Sequence, residues 1–124
     1  MLMLTDLRRL LVALPLCMLV ALPAAGHPKL AMAAPAADSA GAPTKRLELK
    51  FSEAMIPAMT QVTLAHMAGT VAHPIAGKLR FAPGNRSVTL LLASRLAAGT
   101  YAVEWKAVGA DMHKVSGRYQ FSIR

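Results

Sequence analysis

The segment Gly99-Thr-Tyr-Ala-Val-Glu-Trp-Lys106 alternates apolar and polar side chains more regularly than any other part of the chain. In an extended backbone, successive side chains point to opposite faces. One face of this segment would therefore carry Tyr101, Val103 and Trp105, while the other would carry polar residues such as Glu104. This period of two predicts a β-strand with one buried face.

The same alternation recurs in several short segments along the chain, and no segment shows a convincing helical period. Turn-forming residues separate these segments about every 8 to 12 residues. The pattern predicts an all-β fold, an Ig-like Greek-key β-sandwich of about seven strands. Besides the segment above, strands are expected at 47–51, 62–64, 79–81, 88–92 and 119–123, with a short, less certain one within 66–77.

The inward-facing side chains of these strands should form the core of the sandwich. We interpret every aromatic residue among them as core packing. The predicted core consists of Leu47, Leu49, Phe51, Val62, Leu64, Val88, Leu90, Tyr101, Val103, Trp105, Tyr119, Phe121 and Ile123.

Residues 1–26 have the three parts of a cleavable secretory signal. Arg8 and Arg9 form a basic start, an apolar block spans 10–22, and small residues at 24–26 precede a cut between Gly26 and His27. The block is interrupted by proline and is shorter than the roughly 20 residues that span a bilayer. A membrane anchor, and a later cut after Ala34, are the alternatives.

Cleavage after Gly26 would leave a single domain, 27–124, with no cysteine and no membrane span, exported to the periplasm. This domain would carry 12 Lys and Arg against 5 Asp and Glu, a formal charge of +7. The basic residues are spaced singly along the strands, without the dense patch or interleaved aromatics of nucleic-acid binding. We therefore expect no nucleic-acid partner, and interpret the charge as favouring solubility or attraction to anionic surfaces.

Catalytic motifs find little support in the sequence. No cysteine would remain after processing, and no serine lies in a Gly-x-Ser-x-Gly motif. Five acidic residues give little basis for a pair of catalytic carboxylates. We predict a binding protein and not an enzyme.

A metal site is better supported, by Asp111-Met112-His113 in a loop bounded by glycines. In an extended backbone Asp111 and His113 would point the same way, so that both could bind one ion while Met112 points away. His27, as the first residue of the processed chain, would add a free α-amine and an imidazole. This nitrogen-rich set with one carboxylate favours Cu(II).

The processed chain also resembles the CopC family of periplasmic copper-binding proteins. The resemblance is carried by the leader that ends directly before His27, and by the segments 35–39, 47–53 and 96–101. Its most specific part is Val103-Glu-Trp-Lys-Ala-Val-Gly-Ala-Asp-Met-His113 followed by Gly117-Arg-Tyr-Gln-Phe121. A tryptophan, then Asp-x-His, then a glycine before an aromatic strand is typical of that family.

The resemblance implies an Ig-like sandwich that binds Cu(II) in copper resistance or homeostasis, beside an inner-membrane copper transporter of the CopD type. It implies that the Cu(II) ligands are the amine and imidazole of His27, Asp111 and His113. Glu53 matches a family acid near this site. It would either orient the His27 end as a second-shell residue or be an ordinary turn residue.

Two features depart from the family pattern. Many members begin His-Ala-His, whereas this chain has His27-Pro28-Lys29, so Pro28 offers no amide N–H for a main-chain nitrogen ligand. Some members also hold Cu(I) in a methionine-rich loop. Here the corresponding stretch offers only a few soft or nitrogen ligands, which suggest a second, Cu(I) site without defining it: His66, Met67 and His73, with Met55 and Met59 earlier.

Two other functions are compatible with the sequence. One is a metal-independent exported Ig-like structural or adhesion domain. The other is a copper-dependent oxidative enzyme, since an amine with two imidazoles also serves copper sites that cleave polysaccharides. Against the enzyme, the chain lacks a broad aromatic face for such a substrate, and Asp111 would fill an open position on the metal.

Overall fold

Nine β-strands lie within residues 27–124, the part of the chain described by the structure, which is a computed structural model. No helix within these residues is long and apolar enough to cross a membrane. The predicted signal peptide, 1–26, lies outside the described residues. The strands are β1 (Leu30–Ala34), β2 (Ala40–Gly41), β3 (Arg46–Phe51), β4 (Gln61–Ala68), β5 (Val71–Ile75), β6 (Gly77–Phe81), β7 (Ser87–Leu92), β8 (Gly99–Val108) and β9 (Lys114–Ile123), and a 3-10 helix, Pro57–Met59, precedes β4.

The strands form two sheets. One has four strands in the order β1-β3-β7-β6, and the other has five in the order β2-β9-β8-β4-β5. Neighbouring strands are antiparallel, except that the two-residue β2 pairs in parallel with β9. The chain crosses between the sheets after β1, after β2, after β3, after β5 and after β7.

This connectivity is that of an immunoglobulin-like sandwich. In such domains strands A, B, E and D form one sheet, and C, F and G form the other. Here β1, β3, β7 and β6 take the first set of positions, and β4, β8 and β9 take the second, with β5 as an added edge strand. The predicted fold class is confirmed. The strand expected within 66–77 is found as β5, Val71–Ile75. The strands that were not predicted are β1 and β2, which are short and lack a clear alternation in sequence.

The predicted core is confirmed with one difference. Every predicted core residue is buried except Tyr119, which is half-buried and packs against the core cluster. The alternation pattern did not identify several buried residues that lie outside it or at strand ends. These are Met55, Leu92, Leu96, Ala102, Ala107 and Val108.

Two side chains on β8 anchor this strand, one to the preceding turn and one to the other sheet. Tyr101, at the start of the strand, donates a hydrogen bond from its hydroxyl to the carbonyl of Ala97 at 2.7 Å, as in the tyrosine corner of immunoglobulin-like domains. Trp105 packs edge-on against Phe51 of the other sheet, with ring centroids 5.0 Å apart. Opposite Trp105 on β9 stands Gly117, where an added Cβ would lie only 2.6 Å from the indole Cε2 atom.

Candidate metal centre

Three potential metal ligands meet at the end of the sandwich that carries the β8–β9 turn. They are His27, Asp111 and His113, whose ligand atoms all lie within 4.8 Å of one another. The Oδ2 atom of Asp111 lies 3.0 Å from Nδ1 of His27 and 3.1 Å from Nδ1 of His113. The two imidazole rings meet edge to face, with centroids 4.6 Å apart. One carboxylate therefore stands between two imidazoles.

A tight turn, and not an extended segment, brings Asp111 and His113 together. Met112 has a φ of 65°, in the left-handed region, and its N–H donates to the carbonyl of Gly109 at 2.9 Å. The extended geometry that we expected for Asp-x-His is therefore wrong. The chain must reverse between two antiparallel strands over a few residues. In the resulting turn the Asp111 carboxylate folds back and accepts the His113 N–H at 3.1 Å.

The position of His27 depends on the two residues that follow it. Pro28 is fully buried and packs against Gly109, where an added Cβ would lie 2.9 Å from the proline Cδ atom. Lys29 pairs with Ser52 through two hydrogen bonds: its N–H donates to the serine hydroxyl at 3.0 Å, and its carbonyl accepts the serine N–H at 2.8 Å. These contacts place His27 beside the turn.

The packing role of Pro28 was not predicted from the sequence. Its contact with Gly109 joins segments far apart in sequence, so no local pattern indicates it. Gly109 itself was recognised only as a loop boundary.

The site is open to solvent on the histidine side and more enclosed around the carboxylate. The exposed fractions of the side chains are 54% for His27, 68% for His113 and 24% for Asp111. The hydrogen bond from the backbone N–H of His113 is the main cause that holds the pKa of Asp111 below its ordinary value. The side chain of His113 and the charge of His27 act in the same direction, while partial desolvation opposes them. Asp111 therefore offers an ionised ligand atom between two accessible imidazoles.

The carboxylate and each imidazole are close enough to share one metal ion. Two nitrogen or oxygen ligands at about 2 Å from one ion lie about 3 to 4 Å from each other. The contacts of 3.0 and 3.1 Å from the carboxylate to the two imidazoles fall in that range. Imidazole nitrogens suit Cu, Zn and Ni among the common divalent ions.

Glu53 is half-buried and follows Ser52, the residue that anchors Lys29. Within residues 27–124 its side chain forms no hydrogen bond or ion pair. Its role in orienting the His27 end of the site stays a prediction.

The structure brings together two of the three residues of the predicted Cu(I) site. His66 of β4 lies directly opposite His73 of β5, with stacked rings whose centroids are 6.4 Å apart. Met67 pairs with Ala72 and points to the opposite face of β4, because neighbouring residues of a strand alternate. His66 also packs against Tyr101 at the far end of β8 from the turn. The Cu(I) site stays a prediction.

Comparisons with known proteins identify the family of this chain. A family model described as the CopC domain matches residues 30–124. The chain is 35% identical over 114 residues to the copper resistance protein C of Escherichia coli, covering 88% of this chain and 90% of that protein. It is 36% identical over 111 residues to the copper resistance protein C of Pseudomonas syringae pv. tomato, covering 86% and 88%.

A solved structure of a relative shows the same fold. The crystal structure of PcoC, a methionine-rich copper resistance protein from Escherichia coli, superposes with a TM-score of 0.73 at 33% identity, covering 80% of this chain and all of that one. The matched domain includes Asp111 and His113 together with both sheets of the sandwich. From the family match, the identity to these relatives and the shared sandwich, we conclude that the chain belongs to the CopC domain family.

Proposed function

We propose that this protein is a periplasmic copper-binding protein that chelates Cu(II) at the end of its sandwich. The ligands are the α-amine and imidazole of His27, the carboxylate of Asp111 and the imidazole of His113. The observation that carries the proposal is that these three side chains, from two distant segments, bring their ligand atoms within 4.8 Å of one another. Relatives that are named copper resistance proteins support copper as the ion.

The chemistry of the donor set favours Cu(II). Three nitrogens and one carboxylate oxygen provide a tetragonal set, which Cu(II) prefers. His27 binds through two of its own atoms, so its second bond to copper forms at high effective concentration. The carboxylate of Asp111 offsets one of the two positive charges of the ion. Pro28 lacks an N–H, so the main chain contributes no nitrogen ligand at position 28.

The amine of His27 becomes a ligand only after cleavage of the peptide bond to Gly26. Before cleavage this nitrogen belongs to an amide, which is a poor ligand. We therefore propose that removal of residues 1–26 creates the complete site, and that tight Cu(II) binding belongs to the exported domain 27–124.

The proposed role is sequestration of copper in copper resistance, or its transfer to an inner-membrane copper transporter of the CopD type. The exposure of both imidazoles supports transfer, because a partner's ligand can approach the ion before His27 and His113 release it. A catalytic role is less well supported. Asp111 stands between the imidazoles and would fill the position that oxygen chemistry needs.

The test of the proposal is a change of one residue at the processed N-terminus. The protein is purified after export, and its intact mass identifies the first residue. Adding one alanine ahead of His27 keeps the imidazole. The nitrogen of His27 then belongs to a peptide bond, and the free amine lies one residue further away. We expect Cu(II) affinity to fall at least tenfold, with fewer nitrogen couplings in the electron paramagnetic resonance spectrum.

The matched control adds one alanine after Arg124, at the other end of the domain, and should leave affinity unchanged. A processed chain that starts elsewhere than His27 would contradict the amine as a ligand. So would an N-terminal extension that binds Cu(II) as tightly as the unmodified protein.

A further inference from the structure

The outer face of the four-stranded sheet gathers basic residues that are spaced singly in sequence. Leu47, Leu49 and Phe51 of β3 face the core, so the residues between them face outward. Pairing of β3 and β6 with β7 between them places Arg46 and Lys78 on either side of Leu91. We call this surface the basic face; its outward charged residues are Arg46, Glu48, Lys50, Lys78 and Arg80.

The charge of the basic face is poorly compensated. Of the five charged residues that define the basic face, one is acidic. This residue, Glu48, pairs with Arg46 at 3.5 Å. Lys50, Lys78 and Arg80 are all exposed and form no ion pair within residues 27–124. The basic face therefore presents three unpaired cations, one on β3 and two on β6, on either side of β7.

A recess lies at one end of this face, where β3 begins, and brings Arg46 together with two further cations, Lys45 and Arg95. It has a volume of about 460 Å³ and is open to solvent. Lys45, Arg46 and Arg95 line it together with Leu91, and no acidic side chain does. The Arg95 guanidinium donates to the carbonyl of Pro43 at 3.4 Å, which holds it at the rim. Three cations around one recess suit a phosphate group.

The outer face of the five-stranded sheet is less basic. Its exposed cations include Lys106, Lys114 and Arg118, and Arg118 is paired with Glu104 at 3.4 Å. A recess on that side is lined by two lysines and by no arginine. This face therefore provides a natural control for effects of net charge alone.

We propose that the basic face docks on a membrane surface of anionic phospholipid, with a headgroup phosphate in the recess formed by Lys45, Arg46 and Arg95. Four strands about 4.8 Å apart form a surface about 15 Å wide. A flat lipid surface can contact all of its cations at once. An anionic lipid surface attracts each such cation and loses that attraction as salt is added. This inference does not rest on the proposed copper function.

Docking in this way leaves the metal site in solution. The recess lies where β3 begins at Arg46, whereas Ser52, which anchors the His27 segment, follows the other end of β3. The β8–β9 turn belongs to the other sheet. A protein held by the basic face would therefore keep His27, Asp111 and His113 accessible at the membrane surface.

The test is sedimentation of the protein with lipid vesicles. We expect binding to vesicles rich in phosphatidylglycerol and no binding to vesicles of phosphatidylcholine alone. Because salt screens the attraction between exposed charges, about 0.5 M NaCl should release the bound protein. Lys50→Gln, Lys78→Gln and Arg80→Gln combined should weaken binding about 100-fold, since each cation near such a surface contributes about a factor of five. Glu48→Gln should strengthen it several-fold.

The control combines Lys106→Gln, Lys114→Gln and Arg118→Gln, which changes the net charge equally on the other sheet. It should bind vesicles within about threefold of the unmodified protein. Equal losses in both triple variants would mean attraction by net charge without a docking face, and would overturn the proposal. So would binding to polyglutamate-coated beads without binding to phosphatidylglycerol, which would assign the face to an acidic protein. Circular dichroism verifies that each variant is folded.

Discussion

The Nδ1 atom of His27 lies 3.0 Å from the Oδ2 atom of Asp111, although His27 precedes β1 and Asp111 lies in the turn between β8 and β9. This contact joins the two segments that supply the proposed ligands. It depends on the buried Pro28 behind His27 and on the turn that folds Asp111 back toward His113. The carboxylate is thus central to both the geometry and the charge of the site.

Replacing the carboxylate by its amide tests this role. Asp111→Asn keeps the shape of the side chain and an oxygen that can accept the His113 N–H, but it removes the negative charge. Loss of an outer-shell partner already costs roughly 10- to 100-fold in metal affinity, so we expect at least that loss for Cu(II). Isothermal titration with a competing chelator measures it.

Asp38→Asn is the matched control for this substitution. Asp38 is exposed and has a φ of 57°, a conformation that asparagine also adopts readily. Its Cu(II) affinity should equal that of the unmodified protein. An unchanged affinity for Asp111→Asn would exclude the carboxylate as a ligand.

The dependence of copper affinity on pH separates the nitrogen ligands from the carboxylate. An α-amine and an imidazole ordinarily have pKa values of roughly 7.7–8.0 and about 6.5, and copper must displace their protons. Affinity should therefore fall as the pH is lowered from 8 to 5. The pKa of Asp111 is held below its ordinary value of 3.8, so its carboxylate stays ionised over this whole range.

Competition titrations at pH 5, 6, 7 and 8 check this expectation. Asp111→Asn should lower affinity by a similar factor at each pH, because the charge that it removes is present throughout. A flat profile for the unmodified protein would contradict binding through the amine and imidazoles.

Much of the sandwich could be predicted because its signals are local. Tyr101, Val103 and Trp105 lie on one face of a strand, and their alternation shows this without knowledge of the partner strands. Strands without such alternation were not predicted. The five residues of β1, Leu30–Ala34, are mostly alanine, and β2 contains two residues. Pairing with a neighbouring strand, and not their own pattern, makes them strands.

The candidate site was only partly predictable for the same reason. His27, Asp111 and His113 were singled out by their chemistry, a processing signal and a family resemblance. The sequence contained no local sign of the left-handed Met112 or of the contact between Pro28 and Gly109. Both are consequences of how the β8–β9 turn meets the segment before β1.

Gly109→Ala tests whether that contact positions His27. An added Cβ would lie 2.9 Å from the Cδ atom of Pro28 and 3.3 Å from Oδ1 of Asp111. Relief of this overlap should displace the His27 segment, lower the free energy of unfolding by about 1 to 3 kcal/mol and weaken Cu(II) binding on the order of tenfold. Urea unfolding and copper titration provide the two measurements.

Gly41→Ala is the control for this change. No atom lies within 4 Å of a Cβ added at Gly41, so stability and copper affinity should both stay close to those of the unmodified protein. Normal copper affinity in Gly109→Ala would show that His27 does not depend on the fit of Pro28 against the turn.

Two tyrosines that differ in their hydroxyl partners give opposite predictions for stability. The hydroxyl of Tyr101 donates to the Ala97 carbonyl, so Tyr101→Phe should lower the free energy of unfolding by about 1 kcal/mol. The hydroxyl of Tyr119 is buried and has no hydrogen-bond partner within residues 27–124. Tyr119→Phe should therefore be neutral or stabilising by about 1 kcal/mol. Urea unfolding at pH 7 compares the two.

The pH dependence of unfolding gives Tyr119 a second, independent readout. Burial raises the pKa of Tyr119 from its ordinary 10.0 to about 12, so the folded protein keeps a proton that the unfolded chain releases above pH 10. The free energy of unfolding should consequently fall as the pH rises from 10 to 12. Tyr119→Phe should reduce this fall, leaving the smaller part that comes from the raised pKa of Tyr101. An equally steep fall in Tyr119→Phe would mean that the phenol of Tyr119 is accessible to water in the folded protein.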